Sequence, residues 1–155
     1  MSNRTVIHFR EKLWPSAWLF ISTALVIPAS LLVFLPINIF VGIAAAIILY
    51  AGCVGGLLLS ATRIEVNDSH LIAGKARLPV GIIGSVGQFS AREATLERGQ
   101  RLDARAFLVI RGWVDPVVRI ELIDPNDPVP YWLVSTRDPQ ALALAIDRAR
   151  SPEAV

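Results

Sequence analysis

The chain has 155 residues, of which 54% are hydrophobic, with 15 Lys and Arg residues, 13 Asp and Glu residues and one cysteine. This length accommodates one ordinary domain, or a small domain with a membrane anchor. The single cysteine, Cys53, excludes an internal disulfide and a cysteine metal site. The formal net charge of +2 comes from the first twelve positions, which argues against nucleic acid as a partner.

An uncharged stretch follows the basic leader at 1–12. Residues 13–62 contain no Asp, Glu, Lys, Arg or His. A bilayer takes about 20 helical residues to cross, so this stretch is long enough for two spans, and Pro36 and Asn38 mark the break. We predict a transmembrane helical hairpin over 13–61, with helices at about 13–35 and 37–61.

Cations flank both ends of the predicted hairpin, whereas its tip carries no charge. They are Arg4, Arg10 and Lys12 before it and Arg63, Lys75 and Arg77 after it. Because segments rich in Lys and Arg stay on the cytoplasmic side, we expect a multi-pass protein of the cell membrane with both termini in the cytoplasm. A cleaved signal peptide is the rival interpretation, but the apolar stretch is too long for one.

Several residues of the hairpin predict how its helices pack. Pro28 should kink the first helix. Gly52 and Gly56 form a small-xxx-small pair, which lets helix backbones approach closely. Their partner is either the first helix of the same chain or, as the sharper hypothesis, the same surface of a second copy in a homodimer.

Tyr50 adds a polar group to the second predicted helix. A phenol in hydrocarbon needs a hydrogen-bond partner, and Ser22 and Thr23 lie at about the same depth. We therefore predict that the Tyr50 hydroxyl contacts Ser22 or Thr23 across the hairpin.

The pattern changes after Ala61 from continuous apolarity to alternation, which is typical of half-buried strands joined by turns. Asp138 and Pro139 then begin a predicted helix over 138–150, followed by a tail at 151–155. About seven strands and a closing helix predict an α+β membrane protein with a small antiparallel β domain at 62–150. This order resembles the pleckstrin-homology-like (PH-like) fold, a bent sheet or barrel with a C-terminal helix.

Four stretches, spread over nearly the whole chain, carry a resemblance to one family. They are FREKLWPSAW before the first predicted span, TRIEV after the second, LDARAF at 102–107 and DPNDPVPYWLVSTRDP at 124–139. Together they resemble an uncharacterised actinobacterial family of two-span membrane proteins, domain of unknown function 3093. The resemblance implies a membrane hairpin with a cytoplasmic domain, and it implies no catalytic residue because no activity is attached to the family.

The aspartates of the last of these stretches resemble a metal or catalytic site. Asp-Pro and Asn-Asp are turn formers, and DPNDPVP lacks the alternating ligands and the glycine of a calcium loop. We predict turn roles for Asp124 and Asp127, and a helix cap for Asp138.

No other motif indicates catalysis, a cofactor or a metal. GIIGSVG at 81–87 matches neither the dinucleotide nor the Walker pattern, and glycines inside a strand commonly mark bulges. Ser135, His70 and Asp68 could form a triad on paper, but no nucleophile elbow accompanies them. We predict a non-enzymatic protein without a cofactor.

The segment from Ser90 to Ala106 is long for a loop and rich in arginine. The plain interpretation is a solvated loop or short helix, and the functional one is a docking surface, because arginine is favoured in interfaces and binds phosphate bidentately. We select Arg101 and Arg105, with Trp113 as an aromatic anchor, as the candidate interaction surface.

These observations favour a membrane-anchored adaptor whose cytoplasmic domain binds a protein partner not yet identified. The alternative is sensing of anionic lipid headgroups by the same domain. A third class, an enzyme acting on a membrane substrate, would require a deep polar pocket with perturbed titratable groups.

Overall fold

The computed structural model describes residues 6–151. The chain divides into two compact units. The helical unit is Trp14–Ala61, and the β unit combines the residues up to Leu13 with those from Thr62 onward.

The helical unit contains α1 (Ala17–Ala24), α2 (Val26–Phe34) and α3 (Ile39–Leu59). The kink predicted at Pro28 is confirmed as a break at Leu25, because a proline cannot donate to the carbonyl four residues earlier and its ring crowds that carbonyl. The Asn38 side chain caps α3 by accepting from the Phe40 N–H at 2.8 Å. Both predicted helices, at about 13–35 and 37–61, are shorter than expected at each end.

Two helical stretches of this unit, Ala17–Phe34 and Ile39–Leu59, are long and apolar enough to cross a membrane. Only 6% and 11% of their most apolar windows are buried. α2 and α3 approach each other at Gly42, where an added Cβ would lie 3.4 Å from the Phe34 Cβ and 3.5 Å from the Leu31 Cδ2. Glycine therefore permits this close packing.

Sheet 1 of the β unit is an antiparallel meander with strand order β1-β2-β3-β4. Its strands are β1 (Ile7–Leu13), β2 (Thr62–Asn67), β3 (His70–Ala73) and β4 (Ala76–Pro79). The assignment of 1–12 to a leader is wrong for the described part, since β1 belongs to the sheet. In the sequence, apolar Phe9 and Leu13 alternate with charged Arg10 and Lys12, which is the pattern of a half-buried strand. The pattern is short and runs directly into the apolar stretch, so the sequence alone does not distinguish a strand here.

Sheet 2 has strand order β5-β7-β8-β6. Its strands are β5 (Ile83–Phe89), β6 (Phe107–Val109), β7 (Val117–Leu122) and β8 (Tyr131–Ser135). β6 runs parallel to β8, which corrects the expectation of a purely antiparallel domain. The reason is the segment from Ser90 to Ala106, which contains α4 (Ala91–Arg98) and connects β5 to β6, the two edge strands of the sheet. These two strands run in the same direction, and strands in that arrangement need a long crossover connection.

The main core lies between the two sheets and α5 (Pro139–Arg150). Its fully buried side chains include Leu13, Ile64, Leu71, Ile83, Ile120, Leu142 and Ile146. A second cluster, formed by Ala94, Val117, Tyr131 and Leu133, lies beneath α4 on the other face of sheet 2. Because both faces of this sheet are covered, every residue of β8 is buried.

The glycines of GIIGSVG act as predicted at one position. The register of β5 shifts between Ile83 and Val86, and Gly84 lies in this irregularity. An added Cβ there would lie 2.7 Å from the Ile123 Cγ2 and 3.3 Å from the Glu121 carbonyl oxygen. Gly84 is therefore required by close approach of the neighbouring strand.

Candidate functional site

Arg101 and Arg105 lie in the turn after α4, and both are paired with carboxylates. Arg101 Nη1 donates to Glu93 Oε2 at 2.7 Å, and Arg105 Nη2 donates to Asp103 Oδ2 at 3.1 Å. These bonds raise the pKa of both guanidinium groups, and Arg105 holds the pKa of Asp103 below its ordinary value. The Arg101 side chain remains 49% exposed and the Arg105 side chain 69% exposed, so a ligand can still reach them.

Trp113 lies between β6 and β7, partly buried against the main core. Its indole Nε1 is buried and has no hydrogen-bond partner in the described structure. Within residues 6–151, no hydrogen bond, ion pair or cation–π contact joins Trp113 to Arg101 or Arg105. In this part of the chain, the three predicted residues are thus not linked by direct polar contacts.

A buried carboxylate that the sequence does not predict lies next to Arg101. The Glu97 side chain is 3% exposed. Its Oε1 lies 3.3 Å from Arg101 Nη1, and its Oε2 lies 3.3 Å from Arg119 Nη1. Arg119 also lies 4.0 Å above the Tyr131 ring and 3.4 Å from Glu121. We call Glu97, Arg101, Arg119 and Tyr131 the Glu97 network.

The Tyr131 hydroxyl extends this network to the turn after α4. It accepts from the Asp103 N–H at 2.8 Å and donates to the Arg101 carbonyl at 3.4 Å. Each oxygen of the buried Glu97 carboxylate thus lies 3.3 Å from a guanidinium nitrogen. The Glu97 network attaches α4 and its following turn to the outer face of sheet 2.

The start of α4 is attached by a second carboxylate. Asp115 Oδ2 accepts from the Ala91 N–H at 2.6 Å, and Asp115 Oδ1 accepts from Arg98 Nη2 at 3.1 Å. Ser90 makes no side-chain cap bond. The spacing of Glu93 and Glu97 indicates one helix face in the sequence, but only the fold shows that Glu97 contacts Arg119 of β7.

The aspartates of DPNDPVPYWLVSTRDP have the roles that their pattern predicts. Asp124 accepts from the Asn126 N–H and Asp127 from the Val129 N–H, both at 2.9 Å. Asp138 caps α5 by accepting from the Ala141 N–H at 2.9 Å. Turn and cap roles are therefore confirmed for all three residues.

The triad considered for Ser135, His70 and Asp68 is not assembled. The Ser135 hydroxyl is fully buried and accepts from the Arg111 N–H at 3.0 Å. Asp68 instead lies 2.6 Å from Nε2 of His8. The His8 contact and the Val6 N–H hold the pKa of Asp68 below its ordinary value, the Val6 bond being the stronger cause.

The structure contradicts one prediction for the helical unit and one of the two alternatives left open for its glycines. In the described part of the chain, the Tyr50 hydroxyl makes no hydrogen bond to Ser22 or Thr23. The Thr23 hydroxyl donates to the Leu19 carbonyl at 2.7 Å, because a hydroxyl inside a helix readily bonds the carbonyl four residues back. An added Cβ at Gly52 or Gly56 would meet nothing within 4 Å. These two glycines therefore do not pack against the first helix, and Gly42 has that role.

A cleft of about 440 Å³ lies in the β unit between the β2–β3 turn and the end of α5. Asp68, Ser69, Gly81 and Arg150 contribute its polar part. Arg150 Nη1 donates to the Gly84 carbonyl at 2.8 Å, and Asp68 is held by His8. Both charged side chains of the cleft are thus already bound to residues outside its lining. Within the described residues, no group of three or more His, Cys, Asp or Glu side chains could hold a metal ion.

Residues 8–146 match a family whose description is "Protein of unknown function (DUF3093)". The match includes most of both units. No significant match is found among curated proteins or among solved structures.

Proposed function

Since the chain belongs to the family of proteins of unknown function DUF3093, whose description names no activity, we propose a function from the fold. The protein is an integral protein of the cell membrane. Its helical unit crosses the bilayer twice and holds the β unit in the cytoplasm, where the β unit binds a protein partner and catalyses no reaction.

The observation that carries this proposal is the exposure of the two long apolar helices. A core helix of a soluble protein buries most of its apolar surface, whereas only 6% and 11% of these windows are buried. Leu59 and Phe40, for example, are 90% and 78% exposed. An apolar surface of this extent needs lipid or another protein to cover it.

The pairing of β1 with β2 supports two crossings. Leu13 and Thr62 are direct partners in the sheet, so the chain leaves the β unit and returns to it at neighbouring positions. An even number of spans satisfies this geometry. The cations on both sides of the apolar stretch, and the uncharged tip, favour the cytoplasm for the β unit.

Membrane insertion is tested by washing membranes from expressing cells with alkaline carbonate. An integral protein stays in the pellet, as a known transmembrane protein does in the same sample. Recovery of the full-length chain in the supernatant, beside a peripheral protein, would contradict insertion.

The partner-binding role is supported by the layout of the β unit. Two four-stranded sheets closed by a C-terminal helix favour a PH-like interaction domain, although the parallel β6–β8 pair departs from a simple meander. Arg101 and Arg105 remain exposed on an attached turn, and Trp113 lies partly buried between β6 and β7. We retain these residues as the candidate surface.

Because no polar or cation–π contact joins Trp113 to the two arginines, the test separates them. Full-length protein is purified in mild detergent from its native membranes as wild type, as Arg101→Ala/Arg105→Ala and as Trp113→Ala. A Gln140→Ala/Arg148→Ala variant, on the exposed side of α5, is the control. We expect a stoichiometric protein that is retained by the control and lost from at least one of the other two variants. Equal retention by all four would exclude this surface.

A homodimer through the helical unit is a second proposal. It is supported by the empty space at Gly52 and Gly56, which α1 and α2 leave uncovered. A second copy could use this surface for close helix packing.

A further inference from the structure

The outer face of sheet 1 is strongly basic. Ile64 and Val66 of β2 are buried in the core, so the alternating Arg63 and Glu65 point outward. Residues directly opposite each other on neighbouring strands share a face, and the register places Lys12 opposite Arg63, Arg10 opposite Glu65, and Arg77 opposite Ile72. With Lys75 in the β3–β4 turn, we call this surface the basic face; its cations are Arg10, Lys12, Arg63, Lys75 and Arg77, all exposed.

The acidic side chain among these outward strand positions is already paired. Glu65 Oε2 accepts from Arg10 Nε at 3.1 Å and lies 2.8 Å from Arg63 Nη2. Lys75 and Arg77 have no ion pair in the described residues. The basic face therefore keeps a large excess of positive charge after its own carboxylate is satisfied.

This charge is concentrated where the β unit continues into the apolar stretch. Lys12 and Arg63 directly adjoin the Leu13–Thr62 pair. The Gly74 N–H donates to the Arg63 carbonyl at 2.8 Å, which brings the turn with Lys75 to the same end of the sheet. Arg77 follows two residues later on β4.

We propose that the basic face binds the headgroups of anionic phospholipids. The proposal rests on the proposed membrane insertion, because the end of sheet 1 then lies where the apolar helices begin, at headgroup depth. Guanidinium groups bind phosphate oxygens bidentately, and juxtamembrane cations are attracted to anionic lipid. The outward positions of sheet 1 carry no Phe, Tyr or Trp side chain, which disfavours single-stranded nucleic acid as the ligand, since its bases need stacking partners.

The test uses full-length protein in mild detergent, titrated with short-chain phosphatidylglycerol and, separately, with short-chain phosphatidylcholine. The two lipids share acyl chains and differ in headgroup charge, so binding of tails to the helices contributes equally. We expect tighter binding of phosphatidylglycerol, and we expect high salt to weaken that preference by screening.

The decisive variant is Lys75→Gln/Arg77→Gln, and its matched control is Arg92→Gln/Arg148→Gln. Both pairs are exposed, lack an ion pair in the described structure and change net charge equally. If each cation near an anionic surface contributes about fivefold, the first variant loses about 25-fold in phosphatidylglycerol affinity, whereas the control retains it. Tryptophan fluorescence and thermal unfolding confirm that both variants fold.

Three results would overturn the proposal. They are equal binding of the two lipids by the wild type, an equal loss in the control variant, and displacement of phosphatidylglycerol by inorganic phosphate at similar concentration, which would indicate a site for free phosphate. Each of these leaves membrane insertion intact, because carbonate extraction tests insertion independently.

Discussion

Leu13 and Thr62 are direct partners across β1 and β2, although the entire helical unit lies between them in the chain. Both side chains are buried. The β unit is therefore assembled from two separate pieces of sequence, and its first strand is completed only after the helical unit has returned the chain.

The Glu97 network makes a strong prediction about stability. Glu97→Ala leaves Arg119 without its buried partner, and removing one member of a buried pair is strongly destabilising. We expect the free energy of unfolding to fall by about 3 kcal/mol, the low end of the usual range because Arg101 and Arg119 are partly exposed. Chemical denaturation of the detergent-solubilised full-length protein, followed by tryptophan fluorescence, measures this change.

The double variant Glu97→Leu/Arg119→Met serves as the control. It replaces both charges by apolar side chains, which is often neutral for a buried pair. We expect it to recover most of the stability lost in Glu97→Ala. Equal destabilisation of the two variants would show that packing, and not the charge pair, holds α4 on sheet 2.

Asp68 should stabilise the folded state to an extent that depends on pH. The Val6 N–H and His8 hold its pKa below the ordinary value of 3.8. Because the pKa is lower in the folded state, the carboxylate stabilises the fold above its unfolded pKa, and this stabilisation is lost as pH falls through the folded pKa. Asp68→Asn should therefore be less stable than wild type above pH 3.8, and the difference should shrink as pH falls below 3.8. A stability difference that stays constant over this range would contradict the assignment.

Substitutions at the glycines of α3 should separate helix packing within one chain from the proposed dimer. Gly42→Leu should disturb the packing of α3 on α2, because an added Cβ already approaches Phe34 and Leu31 at 3.4 and 3.5 Å. Gly52→Leu/Gly56→Leu should leave that packing intact and abolish the proposed dimer. Thermal unfolding in detergent measures the first effect, and crosslinking in native membranes measures the second.

Cys53→Leu is the matched control for the dimer, since Cys53 is exposed on the same helix. We expect it to crosslink like the wild type. If the Gly52→Leu/Gly56→Leu variant also crosslinks like the wild type, the proposed dimer surface is incorrect.

Local patterns in the sequence predict most elements of this fold. Alternation locates β2 and β7, Asp138 and Pro139 locate the start of α5, and Pro28 predicts the break between α1 and α2. Each of these depends on neighbouring residues alone. The aspartate turns are predictable for the same reason.

Features that depend on distant partners are not predictable in this way. β1 has its partner beyond the helical unit, and β6 acquires its parallel neighbour only because the segment from Ser90 to Ala106 crosses sheet 2. The burial of Glu97 follows from that crossover and not from its polar surroundings in the sequence. The close approach at Gly42, rather than at Gly52 and Gly56, likewise depends on where the two helices meet.

The most direct test asks on which side of the membrane the turn between α2 and α3 lies, and on which side the β unit lies. In a Cys53→Ala background, Ile37→Cys places a thiol between α2 and α3, and Lys75→Cys places one in the β3–β4 turn. Intact cells are treated with a membrane-impermeant maleimide. A hairpin that crosses the membrane twice, with the β unit in the cytoplasm, predicts that the thiol at position 37 is labelled in intact cells and the thiol at position 75 only after lysis. Labelling of position 75 in intact cells, or of position 37 only after lysis, would contradict a hairpin that crosses the membrane twice with the β unit in the cytoplasm.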